Sequence, residues 1–191
     1  HPARPGTGSM VANPLEQQVV IRRAVKRDLP ALEWEGEFSH FRHVFSEAYR
    51  LQELGDVIIW VVDLPEFGLI GQLFIQLYGP EQIQTSKTKY AYIYGFRIRP
   101  AYRGLGIGSH FLKSVESDLY RRGFKRIALN VARDNDAARR LYEREGYQVV
   151  SAEPGIWSYL DEKGKRRFVN EPAWRMEKIF RPCAPSISML E

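Results

Sequence analysis

What most restricts the fold of this chain is the run Arg103-Gly104-Leu105-Gly106-Ile107-Gly108-Ser109. It follows a segment of strand composition, residues 90–99, that Pro100 ends. It precedes Ile107, Phe111, Leu112, Val115 and Leu119, which recur at helical spacing until Arg121, Arg122 and Gly123 supply a cationic last turn and a stop. A strand that enters a helix through such a turn exposes unpaired backbone N–H groups where the helix dipole is positive, which suits phosphate groups. Glycines let the backbone approach an anion closely and take positive φ where the turn demands it, and Arg103 adds a charge-assisted donor. Two other anion-binding loops fail on spacing. The nucleotide-triphosphate loop needs a lysine after its last glycine, and Gly108 is followed by Ser109. The dinucleotide fingerprint needs a glycine at position 109, which is Ser109, and usually opens the first βαβ unit, whereas this loop lies about halfway along the chain.

The remaining elements are placed by periodicity. Residues 19–25 read as a strand, and Asp28 with Pro30 punctuate a helix start. Trp34, Phe38, Phe41, Phe45 and Ala48, at steps of four and three, predict one apolar helical face. Residues 57–62 and 69–78 form an antiparallel hairpin around a turn at 63–68, and residues 79–89 are polar without a period. Residues 126–131 are a further strand, after which Asp134 or Asn135 caps a helix through Ala138, Leu141 and Tyr142 to Gly146. The two helical returns imply a sheet that is parallel where residues 90–99 meet 126–131. Residues 147–151 and 173–180 are closing strands, and 156–170 an inserted hairpin around Gly164. One domain is expected over residues 10–180, with 1–9 a vector remnant and 181–191 a loosely held tail.

Composition excludes several classes. The 191 residues carry 28 basic and 23 acidic side chains, a net charge of +5, which suits a small polyanionic ligand. A nucleic-acid binder clusters its charge more heavily, and the one dense run, Lys163-Gly164-Lys165-Arg166-Arg167, reads as a solvated turn. The single cysteine, Cys183, forms no intrachain disulfide and no multi-cysteine metal site. His40 and His43 read as helix surface, so no metal is expected. Without an apolar run of membrane length, a cytoplasmic setting is the default.

Arg103, Gly106 and Gly108 fill a pattern of Arg or Gln, two residues, Gly, one residue, then Gly or Ala. With the run from Arg97 to Gly108, and the later segment Asn135-Asp136-Ala137-Ala138-Arg139-Arg140-Leu141-Tyr142-Glu143-Arg144-Glu145-Gly146-Tyr147, the chain resembles the GCN5-related N-acetyltransferase (GNAT) superfamily over nearly all of residues 19–180. The resemblance implies an α/β (α+β) fold. Its mixed, mostly antiparallel sheet of about seven strands would be splayed at a parallel pair and flanked by four helices. It implies acetyl coenzyme A as acyl donor and transfer of its acetyl group to a primary amine, of a small molecule or a protein N-terminus, by direct attack on the thioester. A non-catalytic acetyl-CoA-binding regulatory module is the alternative.

The donor site carried over from the family comprises Phe96, Ile98, Arg103, Gly104, Leu105, Gly106, Ile107, Gly108, Ser109, Asn135, Ala138 and Tyr142. Phe96 and Ile98 would pair through their main chain with the pantetheine, the Ile98 N–H would hold the thioester oxygen, and Tyr142 would be the general acid. Glu33, Glu35 and Glu171 are acidic candidates for the base, with Glu35 assigned, and Tyr92 and Tyr94 stand where some members of the family place an acid. Trp34, Glu35, Phe38 and Arg42, facing Trp157, Tyr159 and Trp174, are candidates for the acceptor wall. The inserted hairpin would either cover the site or form a homodimer contact.

Overall fold

The structure, a computed structural model, describes residues 14–79 and 89–180. The expectations for the 1–9 remnant, most of the 79–89 loop, Cys183 and the 181–191 tail lie outside those bounds. Strands β1 (Val20–Arg23), β2 (Val57–Leu64), β3 (Gly68–Tyr78), β4 (Tyr90–Ile98), β5 (Arg126–Ala132), β6 (Gln148–Glu153) and β9 (Ala173–Ile179) form one seven-stranded sheet in the order β1-β2-β3-β4-β5-β9-β6. β7 (Ile156–Leu160) and β8 (Arg166–Asn170) make a separate hairpin. β4 and β5 are parallel, and every other neighbouring pair is antiparallel. Four α-helices are present among the described residues: α1 (Leu15–Gln18), α2 (Arg42–Leu54), α3 (Ile107–Arg121) and α4 (Asp136–Arg144).

The apolar run in β2 reads continuously because both faces of the sheet are covered. Successive side chains alternate across a strand. Ile58, Val62 and Leu64 therefore enter one core with α3, while Val57, Ile59 and Val61 enter a second core with α2. Ile107, Phe111, Leu112, Val115 and Leu119 of α3 are all buried. Burial of each contributes about 1.5–3 kcal/mol, so the start of α3 is held rigidly against the sheet. The basic run near Gly164 is the turn of the β7–β8 hairpin. Buried Asp161 organises it, accepting from the Lys163 and Lys165 N–H groups (2.9 and 2.8 Å) and from Arg167 Nε (2.9 Å).

The single helical face expected from Trp34 to Ala48 is broken. A 3₁₀ segment, Lys26–Gly36, ends with Trp34 and Glu35 in left-handed conformation (φ 47° and 55°), a short turn Ser39–Phe41 follows, and α2 begins only at Arg42. Left-handed backbone costs such residues on the order of 1–3 kcal/mol each. It is offset by the bonds it permits. Trp34 Nε1 donates to Gln72 Oε1 (3.1 Å), Gln72 Nε2 donates to the Leu32 carbonyl (3.1 Å), and Glu35 turns outward to Arg99 (2.7 Å). Gln72 is buried in mid-strand, so its loss leaves a buried donor and a buried acceptor unpaired. Gln72→Ala is expected to lower the free energy of unfolding by about 1–3 kcal/mol, measured by urea denaturation. An unchanged midpoint would show that the kink is held otherwise.

Candidate active site

The site begins where the parallel pair opens. β4 and β5 are in register from Tyr90↔Arg126 to Ile93↔Leu129 and no further, whereas β5 continues to pair with β9 as far as Ala132. The cause lies in β4. Its register against β3 jumps between Phe74↔Tyr94 and Gln72↔Arg97, so β4 carries one extra residue there. Gly95 sits in this bulge at φ 59°, and a Cβ on it would come within 2.8 Å of the Phe74 ring. A bulge bends the strand and sharpens its twist, which carries β4 away from β5. Past the bulge, the Arg99 N–H donates to the Ile70 carbonyl on the β3 side (2.8 Å). Backbone groups alternate between strand edges, so the N–H and C=O of Ile98 face the gap. Arg103 Nε occupies that carbonyl (2.8 Å), which ties the loop to the strand.

The glycine loop divides its work. After the 3₁₀ turn Pro100–Tyr102, Gly104 and Gly106 are left-handed (φ 75° and 83°), and no atom would obstruct a Cβ at either. They serve the backbone path. Gly108 lies within α3 instead, where a Cβ would stand 3.3 Å from Leu141 and 3.9 Å from Phe96, so it lets α3 approach α4 and β4 closely. The first α3 backbone bond after the loop runs from the His110 N–H to the Gly106 carbonyl (3.1 Å). The N–H groups of Ile107, Gly108 and Ser109 are left at the helix start, where the dipole favours an anion.

A cleft of about 810 Å³ fills the gap between the strands. On its α3 and α4 side it is lined by Phe96, Asn135, Ala138 and Tyr142; on the other by Phe41, Tyr92, Tyr94, Arg97, Trp157 and Tyr159. Asn135 is the N-cap of α4, its Oδ1 accepting from the Ala138 N–H (3.1 Å). Tyr142 is buried, with its ring centroid 6.2 Å from Phe96 and 5.9 Å from Tyr147. Burial pushes the Tyr142 phenol well above the usual tyrosine range, and that of Tyr94 up to about 12. Both are neutral at any ordinary pH. The β7–β8 hairpin closes one end, with Tyr159 and Trp157 placed 4.9 and 6.2 Å from the Phe41 ring.

The expected site residues thus fall into two groups. Phe96, Asn135, Ala138 and Tyr142 share the cleft, whereas Ile98 and the loop from Arg103 to Ser109 lie outside its lining, further along the chain from Phe96 and tied to each other by the Arg103–Ile98 bond. Glu35 is elsewhere. It lies outside the cleft lining, largely exposed, and the hydrogen-bonded Arg99 guanidinium holds its carboxyl below the usual range. Glu33 is likewise engaged by Arg42 (2.8 Å). The acids that do line the cleft are Glu171 and Glu153. Of the expected acceptor wall, Trp157 and Tyr159 are in place. Trp174 is partly buried and packs against the core on the α3 side of the sheet, with Arg133 over its ring (4.8 Å), and Trp34 is tied to Gln72. The His40 ring lies tilted against Phe41 (4.2 Å) and 6.1 Å from Tyr159. Sequence reasoning missed Gly95, Glu153 and the placement of Phe41 and Arg97. Only Gly95 left a signal, as a glycine inside a strand pattern.

The same fold is found in solved structures. The Arabidopsis thaliana NAA60 complex with acetyl-CoA superposes with a TM-score of 0.66 at 19% identity, covering 84% of this chain and 98% of the other. The Escherichia coli ribosomal-protein-S18-alanine N-acetyltransferase superposes with a TM-score of 0.65 at 17% identity, covering 88% and 98%. Among curated proteins, the uncharacterized N-acetyltransferase YycN of Bacillus subtilis is 32% identical over 90 residues, 47% of this chain and 54% of the relative. That alignment spans about half the relative's length. The acetyltransferase (GNAT) family model matches residues 26–147, and the chain belongs to that family.

Proposed function

We propose that the chain is an N-acetyltransferase that takes its acetyl group from acetyl coenzyme A and delivers it to an amine. The observation that carries this reading is that one cleft joins an unpaired β4 edge to a buried neutral tyrosine, and that the same strand leads, past that edge, into a glycine loop at a helix start. The donor fits these residues. Its pyrophosphate matches the N–H groups of residues 107–109 and the Arg103 guanidinium, and the amides of its pantetheine arm match the gap-facing backbone of Phe96, while Ile98, whose carbonyl Arg103 holds, offers its N–H. Asn135 and Ala138 line the wall beside that arm.

The bound donor supplies an activated thioester. The Ile98 N–H, fixed in the strand, donates to the thioester oxygen as charge develops there, with no reorganisation. The acceptor nitrogen forms the new C–N bond while the C–S bond breaks. Tyr142 gives its proton to the departing thiolate. Glu171 replaces Glu35 as the base, because it lines the cleft and no arginine or lysine holds its side chain among the described residues. It takes the amine proton directly or through one water. No helix among the described residues is long and apolar enough to cross a membrane.

The test is thiol release from acetyl-CoA in the presence of a panel of amines, with thermal stabilisation by acetyl-CoA measured in parallel. Amine-dependent release above the Tyr142→Phe background is expected. Stabilisation without such release would sink the transferase reading and leave the non-catalytic module.

A further inference from the structure

The two faces of β4 differ in chemistry beyond the bulge. Phe96 packs on Phe111 of α3 (5.7 Å) and toward Tyr142, on the side assigned to the donor. Arg97 emerges on the other side, lying over the ring of Phe38 (4.3 Å) and near that of Phe41 (5.5 Å), under the β7–β8 hairpin. It lines the cleft, and burial pulls its pKa below that of a free guanidinium, although arginine stays charged. Arg22, Arg42 and Arg99 each hold a carboxylate. Arg97 holds none: among the described residues its guanidinium makes no hydrogen bond or ion pair. Glu37 and Glu171 are the acids whose charge it feels, and neither stands within ion-pairing distance.

A half-buried guanidinium with aromatic faces beneath it and its fork of donors unused is built to receive an anion. In this cleft that anion must come with the acceptor. The attacking nitrogen has to reach the thioester held at the Ile98 N–H, and Arg97 is the preceding residue, about 3.3 Å back along the strand. Nitrogen and anion are therefore close neighbours in the acceptor. Glu171, on the cleft wall, supplies the complementary negative charge for the amine end.

We propose that the acceptor is a small amine carrying a carboxylate close to its nitrogen, an amino acid in class, with Arg97 binding the carboxylate and Glu171 facing the amine. This deepens the transferase reading and rests on it. Arg97 is here a specificity-determining residue, and the reacting atoms stay with Tyr142, Ile98 and Glu171.

The experiment compares kcat/KM for free amino acids with that for the same amino acids as their amides, alongside peptides with blocked carboxyl ends. The native chain, Arg97→Met and Arg97→Lys are assayed, and the thermal shift with acetyl-CoA reports that each variant folds and keeps its donor site. The native chain is expected to favour acids over amides by about 10- to 100-fold, chiefly through KM. In Arg97→Met that ratio should fall toward one, and Arg97→Lys should restore part of it. A purely structural arginine would leave the ratio alone. Equal use of acids and amides by the native chain, preference for blocked peptides, or an unchanged ratio in Arg97→Met would each overturn the proposal. Donor stabilisation with no turnover of any amine would overturn the transferase reading, and this inference with it.

Discussion

Tyr142→Phe is expected to lower kcat for acetyl transfer by about 10²- to 10⁴-fold, the usual contribution of a positioned general acid. The KM for acetyl-CoA should stay within about threefold, because the variant keeps the ring and removes an interaction made in the transition state. The ring packs between Phe96 and Tyr147, so the exchange keeps its volume and the fold should tolerate it. The sign of the pH effect follows from burial. Desolvation disfavours the phenolate and raises the phenol pKa above its ordinary value near 10. The proton to be donated is therefore present across the ordinary assay range, and this group adds no falling limb below pH ~10. A rate that declined between pH 7 and 9 in the native chain, and no longer did so in Tyr142→Phe, would place the phenol pKa below its ordinary value, opposite to the direction burial gives, and remove the argument.

Gly106→Val is expected to abolish thermal stabilisation by acetyl-CoA. At a donor concentration of a hundred times Kd, the native chain should gain about 2.7 kcal/mol. The variant should gain nothing measurable. Crowding is not the reason, since a Cβ at Gly106 meets nothing within 4 Å. The reason is backbone: Gly106 has φ 83°, where a β-branched residue is strained by about 1–3 kcal/mol. The loop would relax out of the path that aims the N–H groups of residues 107–109 at one point. Retention of the native shift would show that the loop does not hold the donor.

Much of this site was legible in the sequence because its parts are local. A strand, a turn with glycines at fixed steps and an amphipathic helix are each set within about 30 residues of chain, and Asn135 as the cap of α4 follows from the same kind of rule. The hairpin at 156–170 was also legible, from its alternating residues and Gly164. What the sequence hid depends on contacts between distant segments. Glu35 looked available until Arg99, far along the chain, was found on it. Trp34 fitted a helical stripe until Gln72 drew its indole inward and broke the helix. Trp174 and Trp157 were indistinguishable by type, and only the pairing of β9 with β5 and β6 sets the first against the core and leaves the second on the cleft.

The bulge at Gly95 also acts on parity. Before it, Ala91 and Ile93 point into the core shared with α3, and Tyr94 into the core shared with α2. With strict alternation, Phe96 and Ile98 would point the way Tyr94 does. The extra residue reverses the count, so Phe96 and Ile98 return to the α3 side and Arg97 comes round to Phe38 and Phe41. A single inserted residue thus decides which side chains face the side proposed for the acyl donor and which face the side proposed for the acceptor. On the proposed reading, selectivity is written in the reading frame of one strand as much as in the identity of its residues, and a deletion there would exchange the two faces without changing any other residue.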